Sequence, residues 1–204
     1  MSNPHLAAPP VTVGPPIDEA RRVALVVHGR DQDPVYMVEH LVGPLALPDV
    51  AYVMPAADGG TWYPGRFSAP RAVNEPRLGY ALDALEAAIA EVAPERLVLA
   101  GFSQGACLVA DLIARRPRLY AGAAVLTGAL IGSEEPAVEP LGGLPVFMET
   151  GRYDDWVALE HVEATARAFE AAGARVELEV SDDREHRIRA GAVAGVRALL
   201  ALDH

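Results

Sequence analysis

The feature of this sequence that most restricts its fold is a set of short runs, apolar or β-branched almost throughout. They are Val23–Val27, Val50–Met54, Leu97–Ala100, Ala121–Leu126, Val146–Thr150 and Val176–Val180. Most do not alternate with polar residues, so strands built from them are hidden on both faces, as in a parallel sheet. Segments of helical period lie between them. Leu78, Leu82, Leu85, Ile89 and Val92 share one stripe, with Asn74 as the expected N-cap and Pro94 as the stop. A second helix is expected from Gln104 to Arg116. A third carries Leu159, Val162, Ala166 and Phe169 and ends at Gly173. The last runs from about Ile188 to Leu202. Strand and helix in this rhythm predict an α/β fold, with a mostly parallel central sheet and helices on both faces. Of the 204 residues 51% are apolar, which is ample for such a core.

Residues 1–20, with Pro4, Pro9, Pro10, Pro15 and Pro16, read as a flexible Pro-rich arm. Residues 21–204 read as a single domain without a separate cap domain. The segment from Pro55 to Asn74 is a long loop rich in Gly, Pro and aromatic residues, and loops of that length in compact domains are usually functional.

Charge and cysteine content exclude several function classes. Seventeen Lys and Arg against 28 Asp and Glu give a net charge of −11. That balance argues against nucleic acid and against anionic membrane surfaces, both of which are bound through clustered basic residues. The lone Cys107 can make neither an internal disulfide nor a multi-thiolate zinc site. No run is long enough to span a bilayer, and residues 1–16 do not have the pattern of a secretory signal, so a cytoplasmic protein is expected. His28, Asp31, Asp33 and His40 lack the spacing of a ligand motif, so no metal is expected.

The chemistry is concentrated directly after the run Leu97–Ala100, in Gly101-Phe102-Ser103-Gln104-Gly105, ahead of a helix. Strand, G-x-S-x-G and helix together form a nucleophile elbow. The glycines leave room for the chain to fold tightly around Ser103, and the helix N-terminus behind it favours developing negative charge. A serine nucleophile needs a base and a group to orient that base. Among the downstream histidines, His161 falls on the polar side of a helix and His204 is the last residue. His186 lies in a loop after a strand, where catalytic groups of parallel sheets gather, and is the expected base. Asp154 and Asp155 both follow a strand and precede a helix, so position alone does not choose between them. Asp155, nearer the helix, is the better cap, which leaves Asp154 as the acid. The expected oxyanion donors are the backbone N–H groups of Gln104 and Arg30, the latter in the loop after the first run. His28 reads as a structural hydrogen-bonding residue beneath that loop.

His28-Gly29-Arg30, Gly101-Phe102-Ser103-Gln104-Gly105-Ala106, Gly151-Arg152-Tyr153-Asp154 and the late His186 together resemble the phospholipase/carboxylesterase branch of the α/β-hydrolases. Acyl-protein thioesterases and small carboxylesterases belong to that branch. The resemblance spans residues 22–202 and implies Ser103 as nucleophile, Asp154 as acid, His186 as base, and the backbones of Arg30 and Gln104 as the oxyanion hole. Its G-x-x-D supports Asp154 over Asp155. Thr127-Gly128-Ala129-Leu130 resembles the small-residue loop beneath the family's site. Two positions depart from the pattern: Asp31 stands where H-G-x-G has its second glycine, and Glu185 stands where a glycine commonly precedes the histidine.

The implied activity is hydrolysis of carboxylic esters or thioesters of small to medium acyl groups, without cofactor. A ligand-binding domain that has lost turnover, and acyl transfer or amide hydrolysis on the same residues, are the alternatives. Trp62, Tyr63, Phe67 and Leu130 are the expected pocket residues, with Trp62 and Tyr63 able either to wall a pocket or to pin the loop. The expected partner is a small-molecule substrate, neutral or cationic before anionic, and a homodimer is compatible with the sequence.

Overall fold

The computed structural model describes residues 2–132 and 137–202. All six apolar runs form strands. They are β2 (Arg22–Val27), β3 (Val50–Met54), β4 (Leu97–Phe102), β5 (Gly122–Leu126), β6 (Pro145–Gly151) and β7 (Arg175–Ser181). With β1 (Val11–Val13) they make one seven-stranded sheet in the order β1-β3-β2-β4-β5-β6-β7. Every neighbouring pair is parallel except β1 with β3. Strands β2, β3, β4 and β5 are buried at every residue, the physical counterpart of their unbroken apolar sequence. Strand β7 is an edge and reads Arg-Val-Glu-Leu-Glu-Val-Ser, with Val176 and Leu178 packed inward and most of the polar residues exposed.

Helices cover both faces. On one, α3 (Arg77–Ala88), α4 (Gln104–Arg115) and α5 (Leu159–Ala171) bury Leu82, Leu85, Leu108, Leu112, Val162 and Phe169 against Leu25, Leu99, Val125 and Met148. On the other, α1 (Pro34–Met37) passes through a π turn at Val38–Val42 into α2 (Gly43–Leu45), beside α6 (Ala190–Ala201). Met37, Leu41, Leu45, Val193, Val196 and Leu200 there meet Val26, Ala100, Leu126 and Phe147. Helix α4 sits over the middle of the sheet, and every residue from Gln104 to Ala114 is buried.

Two local expectations fail. Residues expected as a loose arm are laid against the body: Val11–Val13 pairs with β3, and His5 is 3% exposed. The His5 ring is held between Trp62 O at 3.1 Å and the Asp58 N–H at 3.0 Å. The prolines suggested a solvated segment, but an exposed Val-Thr-Val strand needs only a free sheet edge to pair with. Asn74 is also not the cap of α3. It is fully buried, accepting from Gly65 N–H at 2.7 Å and donating to Arg66 O at 3.0 Å, so it staples the long loop to itself.

The position of α4 depends on a missing side chain. A Cβ at Gly105 would stand 2.3 Å from Val27 O and 2.5 Å from His28 O, backbone atoms that cannot swing aside. Gly105→Ala should therefore destabilise the protein by about 3 kcal/mol, the upper end for overpacking a close contact. Urea denaturation reads this directly, and an unchanged midpoint would rule out so close an approach of α4 to β2.

Candidate active site

Ser103 joins β4 to α4 with φ 54° and ψ −119°, a conformation strained for a residue with a Cβ. Gly101 makes the turn passable, because a Cβ there would lie 2.3 Å from Gly105 O. The tight turn lifts the Ser103 side chain above the carboxyl ends of β2, β4 and β5. His186 lies in the loop between β7 and α6, and Asp154 in the loop after β6. His186 Nε2 is 2.8 Å from Ser103 Oγ, and His186 Nδ1 is 2.7 Å from Asp154 Oδ2. A carboxylate can only accept, so Nδ1–H donates to Asp154 and Nε2 is left to accept from the serine hydroxyl.

The Asp154 side chain is fully buried. Its second oxygen accepts from the Trp156 N–H at 2.8 Å and the Val157 N–H at 2.9 Å. Burial opposes its charge, but the bonds from His186, Val157 and Trp156 outweigh burial and hold its pKa below the ordinary carboxylate value. Asp155 is exposed and lies 3.6 Å from Arg184. Contrary to expectation it does not cap α5, which begins at Leu159 behind Ala158.

The loop after β2 runs directly past the serine, since a Cβ at Gly29 would be 3.1 Å from Ser103 Cβ. Among the described residues no acceptor takes the backbone N–H of Arg30 or of Gln104. Asp31, at the departed glycine position, has φ 57°, a left-handed conformation that Asp tolerates better than most residues. Its N–H donates to Gly60 O at 2.9 Å. His28 lies beneath, its Nε2 accepting from Ala57 N–H at 3.0 Å and its Nδ1–H donating to Gly29 O at 2.7 Å.

The side chains of Arg30 and Gln104 hold the aromatic loop. The Arg30 guanidinium donates to the carbonyls of Tyr63, Pro64 and Gly65 at 2.9, 3.2 and 2.7 Å. The Gln104 amide accepts from Trp62 N–H at 3.0 Å and donates to Tyr63 O at 2.8 Å. Trp62 is fully buried behind this loop, with its indole N–H donating to His28 O at 2.9 Å. It pins the loop and does not line the site. Leu130 does not line it either. It packs against the core, with its N–H donating to Thr165 Oγ1 at 3.0 Å.

The cavity in front of Ser103 and His186 measures about 680 Å³ and is bounded by Tyr63, Phe67, Cys107, Trp156, Val157 and His161, among others. Asp31 lines it, whereas Glu185 does not. Trp156 and His161 were not foreseen as lining residues. Trp156 is 73% exposed, and its ring stands 6.2 Å from that of His186. The signal for it was a bulky aromatic two residues after the acid. His161 is exposed, as its helical face suggested, yet it meets Phe67 edge-on at 5.3 Å. Cys107 forms part of the inner wall, and burial pushes its thiol up to about 11. His204 lies outside the described residues.

A family model described as phospholipase/carboxylesterase matches residues 77–203. Among solved structures, a phospholipase/carboxylesterase from Dyadobacter fermentans is 31% identical, with a TM-score of 0.87 over 94% of this chain and 95% of that one. A carboxylesterase from Mesorhizobium loti has 23% identity and a TM-score of 0.76 over 95% and 94% of the two chains. Esterase PE8 has 21% identity and a TM-score of 0.78 over 94% and 97%. These last two likenesses are of fold. No curated protein matches the sequence.

Burial lowers the pKa of both His5 and His28 from the ordinary 6.5, so each stays neutral in the folded protein where the unfolded chain takes up a proton. Their contribution to stability is complete above pH 6.5 and declines as pH falls from there through the lowered folded values. The urea midpoint should drop between pH 7.5 and 5.5, and less steeply in His28→Gln. A flat midpoint in the wild-type protein would contradict it. In the native protein Cys107 should resist iodoacetamide at pH 8, as a buried thiol with a raised pKa must, and react on unfolding.

Proposed function

The chain belongs to the phospholipase/carboxylesterase family of α/β-hydrolases, and on that premise we propose that it hydrolyses carboxylic esters or thioesters of small to medium acyl groups through an acyl-enzyme. The observation that carries this reading is the continuous relay Asp154–His186–Ser103, at 2.7 and 2.8 Å, on a serine held in a strained elbow. Ser103 Oγ attacks the substrate carbonyl as His186 Nε2 takes its proton. Asp154 holds the imidazole in the tautomer that leaves Nε2 free to accept, and stabilises the imidazolium that forms. The tetrahedral oxygen collects the N–H groups of Arg30 and Gln104, which have no acceptor among the described residues. Collapse expels the alcohol or thiol, protonated by His186. Water, deprotonated by the same imidazole, then releases the acid and restores Ser103.

The cavity supports the substrate class. About 680 Å³ walled by Tyr63, Phe67, Cys107 and Val157 suits a short to medium acyl chain. No cofactor enters these steps.

Ser103→Ala should abolish both p-nitrophenyl acetate turnover and labelling by a fluorophosphonate probe. Retention of either would remove Ser103 from the mechanism. Asp154→Asn should lower kcat by roughly four orders of magnitude, because the amide favours the wrong tautomer. Asp155→Asn should leave kcat within about twofold, as expected of an exposed carboxylate at the cavity rim that pairs with Arg184 and makes no hydrogen bond to His186. Across p-nitrophenyl esters of two to twelve carbons, Phe67→Ala should move the preference to longer chains, and an unchanged profile would place the acyl group elsewhere.

A further inference from the structure

The loop that carries His186 has little apolar substance to hold it. From Asp182 to Arg187 every residue is polar or charged, and packing into the core begins only at Ile188, 9% exposed. Catalysis on the reading above needs the imidazole held within a few tenths of an ångström, which such a loop does not provide by itself.

Tyr153 N–H reaches Asp183 O at 3.2 Å and Arg152 Nε reaches Asp182 Oδ1 at 2.8 Å, but one buried side chain reaches the backbone on both sides of the histidine. Arg189, at the start of α6, is only 8% exposed. Its Nε donates to Asp183 Oδ2 at 3.0 Å and its Nη1 to Glu149 Oε1 at 2.9 Å. Its Nη2 donates to Glu185 O, and Nη1 also reaches Arg187 O at 3.5 Å. The carbonyls on either side of His186 are therefore held by a single guanidinium. That guanidinium is anchored in turn on β6, the strand that leads into Asp154. Gly151 keeps the passage open, since a Cβ there would lie 2.8 Å from Arg189 Nη2 and 2.7 Å from Asp183 O.

Glu149 is a costly anchor. It is 2% exposed, its Oε2 has no hydrogen-bond partner among the described residues, and burial raises its pKa against the pull of Arg189. A buried ion pair with an unsatisfied oxygen contributes little net stability compared with two apolar residues of the same size. What this pair supplies is direction: the planar fork of arginine fixes several acceptors at once, which an apolar contact cannot do.

We propose that Arg189, braced on Glu149, is a positioning residue for His186, holding the carbonyls of Glu185 and Arg187 so that the imidazole bridges Asp154 and Ser103. The proposal rests on the hydrolase reading of Ser103, His186 and Asp154. It concerns a residue three positions beyond the histidine that touches neither substrate nor the reacting atoms.

The test compares Arg189→Met, Arg189→Lys and the double variant Glu149→Gln/Arg189→Met, which leaves no unpaired buried charge to disturb folding. Arg197→Met serves as a control, because Arg197 ties the same helix to Pro44 O and Leu45 O, away from the site. Two readouts are taken: steady-state kinetics on p-nitrophenyl acetate, and the low-field proton resonance of His186 Nδ1–H. Both variants carrying Met at 189 should lose about 10- to 100-fold in kcat with KM within about twofold, as expected of a misplaced catalytic group. In both, the Nδ1–H resonance should shift or vanish. Arg189→Lys should recover part of kcat, and Arg197→Met should lower the melting temperature while keeping kcat. A folded double variant with wild-type kcat and an unshifted resonance would overturn the proposal. If the wild-type protein neither turns over esters nor takes a fluorophosphonate label, the hydrolase reading fails instead. The Nδ1–H resonance would still decide whether Arg189 sets the His186–Asp154 contact.

Discussion

The architecture of the site depends on how closely the backbone of α4 approaches the carboxyl ends of the central strands. Hydrogens stand where side chains would collide at three places: Gly101 against Gly105 O, Gly105 against Val27 O and His28 O, and Gly128 against Ala106 Cβ at 2.4 Å. This crowding forces Ser103 into its positive φ and brings the loop after β2 up to the serine. It also places the Gln104 N–H at the head of a helix that points its positive end toward the same spot. Buried apolar strands supply the rigidity that tolerates the strain, and β2, β4 and β5 are covered on both faces.

The site then closes by side chains that serve a second purpose. Arg30 and Gln104 have backbone N–H groups with no acceptor among the described residues, while their side chains grip the loop at Trp62–Gly65. The wall of the cavity and the elbow at Ser103 are thus parts of one hydrogen-bonded unit. Asp154 behaves similarly: one oxygen accepts a hydrogen bond from His186 Nδ1–H, and the other orders the chain at Trp156 and Val157, which border the same cavity. Arg189 extends this economy to the histidine loop.

Much of this was legible from the residues. Both-face burial follows from apolar runs without alternation, so β2 to β5 and their parallel arrangement could be read directly, while β7 shows the alternation of a half-exposed edge. Serine, aspartate and histidine were readable because each sits in a loop at a strand's carboxyl end, next to an unmistakable elbow. The failures share a cause. Residue type alone reads Leu130 as a pocket aliphatic and Asn74 as a cap and leaves Trp62 open between wall and pin, whereas their roles depend on partners that only folding brings near. His28 O meets the Trp62 indole across 34 positions of sequence, and Thr165 meets Leu130 across 35. β1 escaped notice for the same reason, since a short strand is defined by the edge it pairs with more than by its own composition.

By itself, then, the sequence determined the layered α/β class, the order of strand and helix, and the identity of the chemical groups. Those properties are recorded in the solvent exposure and turn chemistry of consecutive residues. The tertiary structure alone decided which aromatic walls the cavity and which lies behind it, that Asp154 orders the loop at Trp156, and that Glu149 and Arg189 brace His186. Glu149 and Arg189 are 40 residues apart in the chain and meet only because β6 and α6 pack on one face of the sheet. Periodicity reports how buried a residue is, but not which distant group it will find there.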